Sequence, residues 1–405
     1  MLWSIKQRCD HYPRSHCEKD TSIAQWILLT TTALVAFAGA AVADGHTAIT
    51  FSGEATLGYN DDNKAASAAR FGDHEGFYSD LNLDVALSAT LDNGITVSAA
   101  ADVDELDATD GQSAGVTLTI SAPNAALIYG DTQFAAKSMW SSAGDMEADS
   151  FSDQDGESVI KGTATFGDVS MAVSAVALDA AGNSGKDDSV MQLSFGAKAA
   201  VGSVTVGVAY QDELVASDVD GGALSTTNGD FYNAATMGIY ASTAVAGATV
   251  KVAYASEETT GTATDYDSTG ISVSYPMGDL TLAAYFVSEG NSTTTDPKDN
   301  SGVSVAYSAN GLAVTAAYAD EQGTEVTKLE GSFDVGSGLT LLAGYVGKDS
   351  KTDDTYVAAT YDLGGGASML VAYADDTNSD EAAGDDDIGA PGYQVGTTVA
   401  VSFKF

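Results

Sequence analysis

The sequence predicts an all-β fold, a transmembrane barrel of antiparallel strands. Apolar and polar residues alternate with a period of two, short turns alternate with long polar connections, and the chain ends on a two-faced strand. Such alternation gives each strand one apolar and one polar face. A large barrel in a bilayer turns these faces to lipid outside and to water inside.

The composition excludes several classes of protein. The chain has 405 residues, is 44% hydrophobic and has a mean hydropathy of -0.01, which fits neither a disordered chain nor a bundle of membrane helices. Its formal net charge of -41 argues against nucleic acid as a partner, because phosphate backbones are bound by clusters of Lys and Arg. Cysteine occurs only at Cys9 and Cys17, which argues against disulfide frameworks, thiolate metal sites and cysteine nucleophiles elsewhere.

The N-terminal region has the pattern of a secretory signal. Basic residues precede an apolar run of 15 residues, 26–40, and small residues at 41–43 give a cleavage site after Ala43. The run is shorter than the roughly 20 residues that a spanning helix needs, although an uncleaved anchor is the alternative. We expect a signal peptide over 1–43, with 1–22 a start-site artefact, and one barrel domain over 44–405.

The first strands show the period most clearly. In the segment 48–60, Ile49, Phe51 and Leu57 share one face, and Thr50 shares the other with further polar residues. The segments 81–91 and 95–103 repeat this alternation. Between them lies Asn93-Gly94, a pair that suits a tight hairpin turn.

Nine tight turns are predicted along the chain. They lie at Asn93-Gly94, Pro123-Asn124, Gly167-Asp168, Gly202-Ser203, Ala246-Gly247, Gly278-Asp279, Asn310-Gly311, Gly336-Ser337-Gly338 and Gly364-Gly365-Gly366. Long acidic stretches lie between them, at 61–75, 105–113, 131–157, 180–188, 213–230, 259–267, 290–300 and 376–392. A literal count, with the last strand closing on the first, gives 20 strands, and we expect an even number from 16 to 20.

A weak repeat accompanies the turns. Four turn glycines are each followed seven residues later by a tyrosine, namely Tyr254, Tyr318, Tyr345 and Tyr373. One interpretation is a hairpin pattern reused for strand propensity. The other places the turn at one membrane interface and the tyrosine near the opposite one, where an amphipathic ring is favoured.

The C-terminal segment is a further strand. From 393 to 405, Tyr393, Val395, Val399 and the terminal Phe405 share one face. A terminal strand that ends on phenylalanine is typical of chains recognised by the outer-membrane barrel assembly machinery. We therefore interpret Phe405 as an assembly signal.

These features resemble the general diffusion porins of Gram-negative bacteria, in particular the Rhodobacter-type alphaproteobacterial group. The resemblance is carried by Leu-Leu-Thr-Thr-Thr-Ala-Leu-Val at 28–35, Ile-Thr-Phe-Ser-Gly at 49–53, Tyr-Asp-Leu-Gly-Gly-Gly-Ala-Ser at 361–368 and Phe-Lys-Phe at 403–405. It implies a homotrimer of 16-stranded barrels in the outer membrane, in contact with lipid and lipopolysaccharide. It also implies a water-filled channel for passive diffusion of small hydrophilic solutes and ions.

The resemblance further implies that the third long loop, 131–157, folds inward as the constriction. Its charged residues are Asp131, Lys137, Asp145, Glu147, Asp149, Asp153, Asp155 and Glu157. Seven carboxylates against one lysine would attract cations. The alternative is a solvated surface loop, since acidic runs are usually solvated.

The expected lumen wall is also acidic. Strand parity turns Glu54, Asp80, Asp84, Asp102 and Asp104 inward. Family constrictions set arginines against the loop, but Arg70 is the only arginine after residue 43. Inward lysines are Lys161, Lys198, Lys251 and Lys328, which we interpret as solvated lumen residues rather than constriction residues. We therefore expect a preference for cations.

Other functions have weaker support. Asp375, Asp376 and 385–387 (Asp385, Asp386, Asp387) are candidate Ca²⁺ ligands, but their spacing matches no defined calcium loop. No other cofactor is expected. We expect no enzyme, because only His46 and His74 follow the signal and no nucleophile motif occurs. The alternative to a channel is a secreted, acidic, β-rich surface-layer or adhesin protein.

Overall fold

The computed structural model describes residues 47–61, 76–104, 116–152, 158–178, 191–213, 234–258, 265–291, 297–349, 353–375, 389, 393 and 395–405. The signal predicted at 1–43, with Ala43, lies outside these residues, as does Arg70. Asp102 and Asp104 are described as strand positions only.

The described residues form twenty β-strands. They are β1 (Thr47–Asn60), β2 (Gly76–Thr90), β3 (Thr96–Asp104), β4 (Val116–Ala122), β5 (Ala125–Gly130), β6 (Ser158–Phe166), β7 (Val169–Leu178), β8 (Met191–Val201), β9 (Val204–Gln211), β10 (Ala235–Val245), β11 (Ala248–Glu258), β12 (Tyr266–Met277), β13 (Leu280–Asn291), β14 (Asn300–Ala309), β15 (Leu312–Glu321), β16 (Thr324–Gly336), β17 (Leu339–Lys348), β18 (Asp354–Gly364), β19 (Ala367–Asp375) and β20 (Gly396–Lys404). One short helix, α1 (Ala135–Met139), lies in the connection between β5 and β6. No helix among the described residues is long and apolar enough to cross a membrane.

The sheet is a closed antiparallel barrel. Each strand pairs with the next one in sequence, and β20 pairs with β1 over the register Glu54↔Lys404 to Asn60↔Thr398. Beyond β20, Phe405 and Gly53 exchange backbone hydrogen bonds of 2.8 and 3.0 Å. Closure leaves no unpaired sheet edge, which is what a bilayer requires of a β-fold. The count of 20 is confirmed, and the expectation of 16 from the family resemblance is wrong for this chain.

All nine predicted tight turns connect strands at the same end of the barrel, which we call the turn end. At Ala246-Gly247 the φ angles are 51° and 89°, and at Asn310-Gly311 they are 53° and 79°. Two successive positive φ angles define the hairpin turn whose twist matches that of the strands. The opposite end, the loop end, carries the longer connections and two short ones that the sequence analysis missed, at Gln322-Gly323 and 349–353.

The two faces of the strands separate as predicted. Large apolar side chains point outward, among them Phe77, which is 82% exposed, and Phe403, which is 52% exposed. The repeat tyrosines Tyr254, Tyr318 and Tyr373 are exposed on the same outer surface. The inner face, which we call the inner wall, is rich in Ser, Thr, Gly and charged residues. The apolar exterior thus forms a surface for lipid, and the polar interior can hold water.

Candidate functional site

The connection between β5 and β6 folds into the barrel. Asp131 is fixed at its entry, where its backbone N–H donates to the Val116 carbonyl over 3.1 Å and its carbonyl accepts from Thr117 Oγ1 over 3.0 Å. From there the residues 131–152, which we call the inner loop, follow the inner wall. Lys161 Nζ on β6 donates to the Gln133 carbonyl over 2.7 Å.

Helix α1 is tied to the wall by its first backbone N–H groups. Ala135 donates to Ser174 Oγ on β7 over 2.7 Å, and Ala136 donates to Ser194 Oγ on β8 over 2.8 Å. The first N–H groups of a helix have no partner within it. The two wall serines supply those partners, which explains why a five-residue helix persists at this place.

Glycines on the inner wall let the inner loop approach closely. A Cβ on Gly196 would lie 2.6 Å from the Ala135 carbonyl oxygen, and one on Gly270 would lie 2.3 Å from that of Ala143. Between them, Gly238 faces the Trp140 ring. These three glycines occupy β8, β10 and β12 and form what we call the glycine track. Any larger residue there would push the inner loop into the lumen.

The inner loop reaches its farthest point near β13 and β14. Lys251 Nζ on β11 donates to Ser141 Oγ over 2.6 Å and to the Ser142 carbonyl over 3.0 Å. Beyond it, the buried Asn300 on β14 donates from Nδ2 to the Asp145 carbonyl over 3.0 Å. Asn300 Oδ1 also accepts from the Gln322 N–H over 2.7 Å, so one side chain connects the inner loop to the short β15–β16 turn.

The inner loop then returns along the same wall. The backbone N–H groups of Ala148, Ser150 and Ser152 donate to Ser268 Oγ, Glu257 Oε1 and Gln211 Oε1, over 2.9, 2.9 and 2.6 Å. These acceptors lie on β12, β11 and β9. The wall therefore supplies acceptors for the backbone N–H groups at 148, 150 and 152, which would otherwise be buried without partners.

A small core joins the outgoing and returning parts of the inner loop. Trp140 Nε1 donates to Asp149 Oδ2 over 2.8 Å. Its ring lies 5.5 Å from that of Phe151 and 5.9 Å from that of Tyr240 on β10, measured between centroids. An aromatic cluster with a satisfied indole N–H holds its parts rigidly together.

The structure distributes the predicted loop charges over different surroundings. Asp149 is buried against Trp140, Asp145 is half-buried beside Asn300, and Glu147 is exposed. Lys137 is half-buried on α1. Asp153, Asp155 and Glu157 lie outside the described residues.

The predicted lumen residues also separate into groups. Lys161 and Lys251 lie on the inner wall as parity indicates, but their ammonium groups bind the inner loop instead of being fully solvated. Lys198 is exposed and Lys328 is half-buried. On the opposite wall Asp80 and Asp84 are exposed. Glu54 pairs with Lys404 at 3.3 Å.

Of the calcium candidates, only Asp375 belongs to the described residues, where it is half-buried at the loop end of β19. Asp376, Asp385, Asp386 and Asp387 lie outside them. Within the described part of the chain, no group of three or more His, Cys, Asp or Glu side chains is arranged to hold a metal ion.

The C-terminal segment differs from its sequence-based prediction. Strand β20 begins at Gly396, and Tyr393 is directed into the barrel against Tyr356, with ring centroids 5.0 Å apart. Val395 is buried. The prediction that Tyr393 and Val395 share an outer face is therefore wrong. The positive φ of Gly396, 88°, interrupts the alternation at this point.

The family model of the Gram-negative porins matches residues 30–381 of the sequence. The closed barrel and its inner loop agree with this match. The chain belongs to this family. Its place is therefore the outer membrane. No curated protein matches the chain.

Solved structures with which this porin aligns include engineered variants of Rhodopseudomonas blastica porin. Two of them share 16% and 17% sequence identity with it, at TM-scores of 0.38 and 0.39. Both alignments cover 88% of this chain and 100% of the other.

Proposed function

We propose that this porin forms a water-filled channel for passive diffusion of small hydrophilic solutes and ions, and that it prefers cations. The observation that carries the proposal is the inner loop bound along the inner wall. A loop held in this way narrows a lumen without filling it, because its contacts follow one side of the barrel from β6 to β14.

The charges on the two sides of the remaining space support a cation preference. Lys161 and Lys251 are oriented toward the inner loop, where they bind its carbonyl groups. Asp80 and Asp84 are exposed on the opposite wall, and Glu147 is exposed on the inner loop. Carboxylates on both sides of a passage raise the local concentration of cations and lower that of anions.

The test is the reversal potential of single channels in a planar bilayer under a salt gradient. We expect potassium to pass in preference to chloride, and the double variant Asp80→Asn, Asp84→Asn to lower the permeability ratio roughly twofold for each charge removed. Asp168→Asn, in an exposed turn at the turn end, is the matched control and leaves the ratio unchanged. The preference weakens from 0.1 M to 1 M salt, because the Debye length shortens from about 10 Å to about 3 Å.

A chloride preference in wild-type channels would overturn the cation proposal and leave the channel proposal intact. A protein that stays soluble without detergent and opens no channel would favour the surface-layer or adhesin alternative. We assign no reaction to the protein, since the family is one of porins.

We also propose the partners that the family resemblance implies. These are two further copies of the chain in a homotrimer, lipopolysaccharide and lipid around the outer surface, and the barrel assembly machinery during insertion. The apolar outer surface supports contact with lipid. Conductance steps in multiples of three would support the trimer, and cross-linking that yields only monomers would exclude it.

A further inference from the structure

We infer that the connection between β19 and β20 contributes, through Gly389, Tyr393 and Val395, a second inward element that narrows the lumen along β16, β18 and the loop end of β1. This inference rests on the proposed channel function. The element consists, among the described residues, of Gly389, Tyr393 and Val395, which we call the inner strap. Each of the three contacts a side chain or backbone group on the inner wall.

Gly389 binds β16. Its backbone N–H donates to Glu330 Oε1 over 3.1 Å. Glu330 points inward, because its neighbour Leu329 is exposed on the outer surface. The same carboxylate oxygen accepts from the Tyr356 hydroxyl over 3.1 Å. One inward carboxylate therefore joins the inner strap to β18.

Tyr393 covers an apolar area of the inner wall. Its ring packs on Tyr356, which is 6% exposed, and Tyr356 belongs to a cluster with Ala358, Ala372 and Ala374. An apolar area in a water-filled lumen is unfavourable unless something removes it from water. Burial, with added repulsion from Glu330, raises the pKa of the Tyr393 hydroxyl to about 12. Burial against Tyr356 therefore widens the pH range over which the hydroxyl stays neutral.

Val395 binds the first strand. Its carbonyl accepts from Asn60 Nδ2 over 3.0 Å, and Val395 also forms a parallel bridge with Ala374 on β19. Asn60 lies on the inner face of β1 and is buried. The three described residues of the inner strap therefore contact β16, β18, β19 and β1 on the inner face of the barrel.

The inner loop and the inner strap cover different sectors of the wall. The inner loop binds β6 to β14, and the inner strap binds β16, β18 and the loop end of β1. Asp80 and Asp84 on β2 remain exposed. Asp80 and Asp84 therefore lie outside the sectors that the inner loop and the inner strap contact, and we expect solutes that pass both elements to meet these carboxylates.

Conductance tests the inner strap directly. We expect Tyr393→Ala to raise the single-channel conductance by about a fifth or more, since the lost ring leaves volume for water. Tyr393→Phe keeps the ring and leaves conductance near the wild-type value. The matched control is Tyr373→Ala, because Tyr373 is 50% exposed on the outer surface. Equal conductance for Tyr393→Ala and wild type would overturn the proposal.

Cysteine labelling tests the inner strap independently of conduction. Cysteine occurs only at Cys9 and Cys17, so after both are replaced by serine a single introduced cysteine reports one position. We expect Asp84→Cys to react quickly with a water-soluble thiosulfonate in the detergent-purified protein. Ala358→Cys, beneath the inner strap, should react about tenfold or more slowly, as expected for a protected site, and should react faster when Tyr393→Ala is added.

Conductance and labelling together distinguish failure of the inner strap from failure of the proposed channel function. Equal labelling rates at Ala358→Cys and Asp84→Cys would overturn the inner strap even in a conducting channel. Slow labelling of Ala358→Cys in a protein that never conducts would support the inner strap and remove the channel function. A heat-dependent shift in gel mobility, compared with wild type, verifies that each variant has folded.

Discussion

Trp140 packs its ring directly on Gly238, where an added Cβ would lie 2.4 Å from a carbon of the indole ring. The contact joins the inner loop to β10 without an intervening side chain. Because Trp140 also donates to Asp149 and contacts Phe151, its position fixes both the outgoing and the returning parts of the inner loop. The distance between the inner loop and the opposite wall therefore depends on a residue with no side chain.

We predict that Gly238→Val displaces the inner loop. The overpacking costs about 1–3 kcal/mol, which the loop can relieve by moving into the lumen, so single-channel conductance falls and open-channel noise rises. The matched control is Gly162→Val on the outer face of β6, where the nearest atom to an added Cβ lies 3.8 Å away. If Gly238→Val and Gly162→Val gave the same conductance and noise, the glycine track would have no role in placing the inner loop.

We expect the channel to change in different ways when the charge of Lys251 or of Lys198 is removed. Lys251 binds Ser141 and Ser142, and losing these hydrogen bonds costs about 1–3 kcal/mol of loop anchoring. Lys251→Met is therefore expected to make the open channel noisier. Lys198 is exposed on the inner wall, so Lys198→Met is expected to increase the cation preference with unchanged noise.

Noise analysis and reversal potentials, measured on the same channels, separate these outcomes. A Lys251→Met channel as quiet as wild type would show that the lysine does not anchor the inner loop. A Lys198→Met channel with an unchanged reversal potential would show that this ammonium group lies too far from the ion pathway to influence it.

The turns illustrate what the sequence predicts well. All nine contain Gly or Asn, residues that accept a positive φ or bind their own backbone, so each is visible from local chemistry. Of the two missed connections, 349–353 contains neither Gly nor Asn, whereas Gln322-Gly323 has the same form as the predicted turn Ala246-Gly247 and was a usable signal. Gln322 adopts a φ of 51° although it is neither Gly nor Asn, and it is held there by Asn300, which is 22 residues away in sequence.

The inner loop was located from the family resemblance, and its anchors depend on contacts that strand parity alone does not specify. Parity places Ser174, Ser194 and Ser268 on the inner wall without showing that backbone N–H groups of the inner loop bind them. The inward glycines of β8, β10 and β12 were a usable signal, because a lumen-facing strand position normally carries a polar side chain. Tyr393 was misplaced because its alternation with Val395 continues that of β20, while its ring packs on a residue of β18.

The backbone geometry of two turns predicts opposite changes in the stability of the barrel. Ala246 has a φ of 51° and Asn310 one of 53° in equivalent turns, and a left-handed conformation costs alanine roughly 1–2 kcal/mol. Asparagine tolerates it better. We expect Ala246→Asn to stabilise the barrel and Asn310→Ala to destabilise it, each by about 0.5–1 kcal/mol.

The midpoint of urea unfolding in lipid vesicles measures both changes. Opposite shifts of similar size are the expected outcome. Shifts in the same direction would show that side-chain contacts at these turns outweigh the backbone conformation.

Phe405 should matter more for insertion than for the folded barrel. Its backbone exchanges hydrogen bonds with Gly53, and Phe405→Ala keeps these groups while removing a ring that is exposed on the outer surface. We therefore expect the variant to refold in detergent with wild-type conductance. In cells, its amount in the outer membrane should fall severalfold, because the assembly machinery is expected to recognise the terminal ring.

The matched control is Phe333→Ala, which removes another outward ring, close to the turn end of β16. Loss of a lipid-facing ring affects both variants alike, since each removes a similar apolar area. A defect in cells that appears only for Phe405→Ala therefore isolates the recognition step. Equal amounts of both variants in the outer membrane would show that the terminal ring acts through lipid contact alone.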